Sequence, residues 1–135
     1  MSTLIRLMAS ITALGLLASC VAPPPSKADV ALEATLLKYA GPPIDSFTYL
    51  GRYDDFRTLG NKAVVLFTTV NDAYLIRVLD PCYGLQDADR VGLTFESHTV
   101  NRTFDKVIVR QLRCRIDTIQ HIDYAAMKRD RFAGV

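Results

Sequence analysis

Apolar residues are spaced in three different ways along this chain, and each spacing predicts a different structure. From Leu7 to Leu17 they run nearly unbroken, with only small or mildly polar residues between them. That run is about ten residues, half of what a membrane-crossing helix needs and the usual length of a signal-peptide apolar segment. Further on, Leu32, Leu36, Tyr39 and Ala40 fall on one side of a helix. Ser26-Lys27-Ala28-Asp29 ahead of them has capping-box spacing. Gly41-Pro42-Pro43 behind them suits a helix end, because Gly fits the cap and Pro cannot continue the helix. These signals predict a short helix over residues 29–40.

From Ile44 onward the period shortens toward two. Ile44, Phe47, Tyr49 and Leu50 open an apolar stretch, and residues 53–60 read as a turn-rich connection carrying buried aromatics. Residues 62–69, dense in Val, Leu and Phe, predict a central strand. Asn71-Asp72 is turn chemistry. Residues 73–79 then return as a second strand with Tyr74, Ile76 and Val78 on one face. Asp80-Pro81 ends it, because Pro has no N–H for a ladder. Residues 82–89 read as a loop or a single helical turn. Alternation resumes over 90–96, with Val91, Leu93 and Phe95 inward. After a turn at Asn101-Arg102 it continues through Val107 and Val109, then through Leu112, Cys114 and Ile116. Asp123 is placed to cap a final helical turn over 124–127. About five short strands separated by turns predict a mainly β fold, a small antiparallel barrel or sandwich with a short N-terminal helix.

The apolar leader carries one cation, Arg6, and ends in Leu17-Ala18-Ser19-Cys20. That ending resembles the lipobox of bacterial lipoproteins. The resemblance implies a signal peptide over 1–19, removed before Cys20, and a diacylglycerol joined to the Cys20 thiol. Two or three acyl chains hold a protein on a bilayer lastingly, where one holds it only marginally. Val21, standing where Asp favours inner-membrane retention, points to the outer membrane, on its periplasmic face. Pro23-Pro24-Pro25 keep residues 20–28 extended as a tether. The expected organisation is then a single β-rich domain over 29–127 and a basic C-terminal tail over 128–135. The first expected partner is the membrane itself, through the anchor.

Taking the 19-residue leader from the 135 residues leaves 116, enough for one domain with a modest core. The remaining charges nearly balance, 15 basic against 14 acidic. With no long basic stripe, nothing in the charge pattern points to nucleic acid. Lys128-Arg129-Asp130-Arg131 reads as solvated. Beyond Cys20 two cysteines remain, Cys82 and Cys114. An even remainder in an oxidising compartment reads as a disulfide. A metal pair or a reactive thiol is the rival, disfavoured because there is no CxxC and no His near either Cys in sequence.

The candidate chemistry is sparse. His98 and His121 are the only histidines. Asp117, His121 and Asp123 have the residue types of a metal or acid–base cluster, although a surface His bonded to a carboxylate is the commoner outcome. Asp54-Asp55 and Asp87-x-Asp89 are paired carboxylates in probable turns, where water keeps geometry loose. There is no nucleophile elbow and no Gly-rich phosphate loop. Arg77 shares a strand face with Leu75 and needs a carboxylate if that face is buried. Tyr53 and Phe56, with Arg52 and Arg57 beside them, have the composition of a partner-binding patch.

Pro43-Ile44-Asp45-Ser46-Phe47, Ala73-Tyr74-Leu75-Ile76, Pro81-Cys82 with Leu85, Asp105-Lys106-Val107, residues 114–119 and Ile122-Asp123 together resemble the family catalogued as domain of unknown function 6491, a group of small proteobacterial lipoproteins. The resemblance implies the lipid anchor and a Cys82–Cys114 pairing, and carries no catalytic residue. The function expected is a binding or structural module of the cell envelope, without catalysis, cofactor or metal ion. Its partner is an envelope protein or a glycan. The alternatives are an inhibitor or immunity lipoprotein against a periplasmic hydrolase and, further off, a small envelope hydrolase.

Overall fold

The computed structural model describes residue 24 and residues 26–133. The signal peptide expected over 1–19, and Cys20 with most of the tether, lie outside the described residues. Helix α1 spans Lys27–Leu37. Ser26 Oγ accepts from the Asp29 N–H at 3.1 Å, and the Asp29 carboxylate accepts from the Ser26 N–H at 3.4 Å. This is the capping box read from the sequence.

The helix ends earlier than expected, and the Gly-Pro-Pro segment is not a simple stop. Ala40–Ile44 forms β1, antiparallel to the long strand β9, Leu112–Asp123. Pro42 and Pro43 are tolerated because β1 pairs on one side only and carries an irregularity between Ala40 and Pro43. β2 (Ser46–Thr48) pairs with β7 (Thr99–Asn101) in a separate two-stranded sheet. Residues read as a turn-rich connection contain β3, Asp55–Leu59, paired along its length with β4, Ala63–Phe67. β5 is Asp72–Val78, β6 Gly92–Leu93 and β8 Lys106–Val109.

The larger sheet runs β3-β4-β5-β9-β8-β6, with β1 also on β9. It is antiparallel and curls into a half-barrel. The expectation of about five strands becomes nine among the described residues, because β2 and β7 are three residues long and leave too little alternation to detect, while β1 and β3 lie in segments that read as a helix stop and a turn-rich connection.

The sheet is buried on both faces. Val64, Leu66, Ile76, Val78 and Ile119 face the inner core, closed by Phe47, Tyr49 and Val100. Val65, Leu75, Ala73 and Ile122 face the outer core, under Leu36 of α1 and Met127 of α2, Tyr124–Ala133. Double coverage is why β4 reads as an unbroken apolar run. Arg77 lies on the outer face and is ion-paired with Glu33 of α1. The register shift between Arg77 and Val78 leaves Asp117 as the extra residue of β9.

Three further expectations are corrected. Phe95 is not inward but exposed, because β6 stops at Leu93; Leu112 shares a strand face with Cys114 and Ile116 as expected and is exposed because it opens β9 at a turn. The final helical turn is a ten-residue helix. It contains residues 128–133, so the described part of the segment expected as a basic tail is helical. The cap read at Asp123 is present, its Oδ1 accepting from the Ala126 N–H at 2.9 Å. Cys82 and Cys114 form a disulfide with Cα atoms 5.8 Å apart, tying the 82–89 loop to β9. No helix among the described residues is long and apolar enough to cross a membrane.

Candidate functional site

The four residues of the expected patch do not lie on one surface. Strand alternation sends Phe56 to the inner core and Arg57, next to it, to the opposite face. Tyr53 is half-buried. Its hydroxyl donates to the Val91 carbonyl at 2.7 Å and accepts from the Val91 N–H at 3.3 Å, while its ring meets Phe56 edge-on at 5.8 Å. Arg52 lines a separate shallow recess with Thr48, Leu50 and Tyr74. Arg57 is exposed, with Asp55 at 3.7 Å.

The histidines are also separated. Ser97 and His98 both have positive φ and make the two-residue turn between bridge partners Glu96 and Thr99. His121 Nε2 lies 3.0 Å from Asp72 Oδ1, across the β5–β9 pairing, and its ring packs on Tyr74 at 5.2 Å. Thr69 Oγ1 donates to the other oxygen of Asp72 at 2.9 Å. The hydrogen bond to His121, and after it the one from Thr69, hold the Asp72 carboxyl below its ordinary value. The carboxylate therefore stands between the hydroxyl and the imidazole. Activation of a hydroxyl by a general base needs the imidazole in that middle position. Asp117 stands apart at the register shift, while Asp123 is the cross-strand partner of Asp72 and turns its Oδ1 to the cap of α2. Among the described residues no three His, Cys, Asp or Glu side chains are grouped to hold a metal ion.

What the fold does build is a groove of about 590 Å³ where α1, α2 and the Asp55–Phe67 end of the sheet meet. Leu32, Leu36, Phe67, Tyr124 and Met127 line it with apolar surface. Asp54, Asp55, Arg57, Lys128 and Arg131 supply charges of both signs. Tyr124 packs on Phe67 with ring centres 4.9 Å apart, and the Lys128 ammonium lies 4.9 Å over the Tyr124 ring. The same ammonium donates to the Val70 carbonyl and to Asn71 Oδ1. At the far end Tyr39 donates to Asp130 Oδ2 at 2.8 Å, joining the exit of α1 to α2. That carboxylate raises the Tyr39 pKa.

The chain matches the family model described as a family of unknown function, DUF6491, over residues 3–133. It belongs to that family. The match takes in residues ahead of α1 as well as the folded part of this DUF6491 member. No curated protein and no solved structure matches the chain.

The groove was not legible beforehand, since its lining runs from Leu32 to Arg131 and no local motif spans that distance. The one available signal was the pair Phe67 and Val70, apolar residues at the end of a strand and in the turn that follows it. Chemically the groove suits a ligand that buries apolar groups against its floor and presents charges of both signs to its rim.

Proposed function

We propose that this DUF6491 member is an outer-membrane-anchored periplasmic lipoprotein that acts as a non-catalytic binding module, with the α1–α2 groove as its binding surface. The groove is the observation that carries the reading. It combines an apolar floor with a mixed-charge rim and is open to solvent on one side. The occupant that suits it is a segment of an envelope protein. Apolar side chains would enter between Leu32, Phe67 and Met127, with flanking charges meeting Arg57 and Asp55. The leader ending in Cys20 supports the anchor, and the match beginning at residue 3 is in keeping with a leader shared by the family.

Photo-crosslinking in intact cells tests this. A crosslinker placed at Leu32 or Val70 is expected to trap one discrete adduct, and Arg57→Glu in the same chain is expected to abolish it. A crosslinker at Leu79, exposed and away from the groove, is expected to trap none. An adduct that forms equally at Leu79, or that survives Arg57→Glu undiminished, overturns the groove as the binding surface.

A further inference from the structure

The hairpin of β8 and β9 carries an arrangement that folding alone disfavours. Lys106 stands directly opposite Arg115, and Ile108 directly opposite Arg113. Partners in an antiparallel pair project from the same face, so two arginines and a lysine share one small area. Like charges directly opposite one another are destabilising. The other face carries Val107 and Val109, buried in the inner core, and Leu112 opposite Val109 at the exposed end of the hairpin.

Little on the molecule neutralises this cluster. Asp80 reaches Arg115 at 3.3 Å, both side chains being largely exposed, and water weakens such a pair. The oxygens of Asp105 are taken by Thr94 Oγ1 and the Asn101 N–H, each at 2.7 Å. Among the described residues neither Lys106, Arg113 nor Arg110 has a carboxylate within ion-pair distance. β6 adds no cover, since the residue it places opposite Ile108 is Gly92.

Apolar groups lie beside the cations. Tyr83 and Leu112 are 60% and 49% exposed and share a shallow recess with Arg113 and Arg115. The Cys82–Cys114 disulfide runs through that recess and fixes Tyr83 relative to Leu112. An exposed Tyr and Leu among arginines is the composition of surfaces that rest in a lipid headgroup layer.

We propose that this face of the β8–β9 hairpin docks on an anionic phospholipid surface, with Lys106, Arg113 and Arg115 on the phosphates and Tyr83, which shares the recess with Arg113 and Arg115, at the headgroup level. The length of chain ahead of the fold favours this occupant. Five residues lie between Cys20 and Ser26, and six steps of about 3.1 Å can reach about 19 Å. A domain of this size has a radius of gyration of about 13 Å, so the tether keeps the domain within touching distance of the bilayer. The lipid-anchor reading enters only through that geometry; the docking face itself stands on the hairpin.

Vesicle co-sedimentation of residues 20–135 carrying Cys20→Ser tests it without any acyl chain. Residues 26–133 contain both buried clusters, and near-ultraviolet circular dichroism checks the fold of each variant. Binding is expected to vesicles containing phosphatidylglycerol, not to phosphatidylcholine alone, and to fall steeply with added salt. Arg113→Gln is expected to lower partition about five-fold, and Arg113→Gln with Arg115→Gln to lower it further. Arg52→Gln with Arg129→Gln removes the same charge elsewhere and is expected to leave most of the binding. Equal binding to neutral vesicles, no binding at all, or equal loss in the Arg52/Arg129 variant overturns the proposal. So does displacement by inorganic phosphate beyond that by sodium chloride at equal ionic strength, which marks a discrete anion site instead of a surface.

Discussion

Tyr53 shows how one residue type serves folding where its composition pointed to binding. Its hydroxyl satisfies both backbone groups of Val91, and its ring covers Phe56 at the edge of the inner core. Removing only the oxygen leaves two partly buried backbone groups without their partner. Tyr53→Phe is therefore expected to lower stability by about 1–2 kcal/mol, read as a lower urea midpoint at unchanged slope. No change in midpoint shows that water replaces the hydroxyl without cost. Tyr53→Ala removes the ring as well, so a loss of partner binding in that variant reports on folding first. Asp72 belongs to the same scale. Its pKa is lowered in the folded chain, so it contributes stability that is present above its unfolded value of 3.8. That contribution is lost as pH falls below 3.8 through the folded value. Asp72→Asn is expected to flatten the fall of the unfolding midpoint below about pH 4, modestly, because both partners are nearly half exposed. An unchanged acid limb assigns the fall to other carboxylates.

At the scale of the element, the Cys82–Cys114 bond closes a loop of 32 residues. Loop-closure entropy gives such a bond roughly 3–4 kcal/mol. It also holds the 82–89 loop, which is tied as well by the Cys82 N–H on the Asn61 carbonyl at 2.7 Å, the Gln86 N–H on Asn61 Oδ1 at 3.0 Å and Thr58 Oγ1 on the Gln86 carbonyl at 3.2 Å. Replacing both cysteines with Ala is expected to lower stability by about 2–5 kcal/mol, measured by urea unfolding without reductant. A smaller loss would mean that Asn61 and the burial of Leu85 hold the loop unaided. Elements specified by near neighbours were the legible ones. The capping box of α1 lies within four residues, and the β4–β5 hairpin is two apolar runs about one polar turn. β3 was hidden because Asp54-Asp55 reads as a turn, and its alternation acquires meaning only against β4. β1 was hidden because its prolines contradict a strand unless one side is unpaired. For the same reason Phe56 and Arg57 looked like one patch. Adjacent in sequence, they are on opposite faces once the segment is known to be extended.

For the whole molecule, the sheet is a partition. Its inner face is closed by the β2–β7 pair and its outer face is covered in part by α1 and α2. The groove forms where the two helices leave a gap over the β3–β4 end, and the basic hairpin face lies on the part of the sheet beyond them. The two proposed surfaces are thus built from different strands, which leaves a partner and a bilayer free to be engaged together. The proposed anchor is a third and separate contribution. Both buried clusters consist of residues from Leu32 onward among the described residues, and the Cys20 thiol is proposed to carry lipid. Cys20→Ser is therefore expected to change where the chain is held and not how it folds. Native protein is expected in the membrane fraction after a high-salt wash, with a mass increase on Cys20, because acyl chains are insensitive to ionic strength. The variant is expected to be unprocessed or released by the wash, since headgroup contacts made through Arg113 and Arg115 are screened by salt. The thermal midpoint of residues 20–135 is expected to be the same with Cys or Ser at position 20. Native protein that the wash releases, or an unmodified Cys20 in its mass spectrum, removes the anchor. The hairpin face would then be the only membrane contact proposed here that still stands.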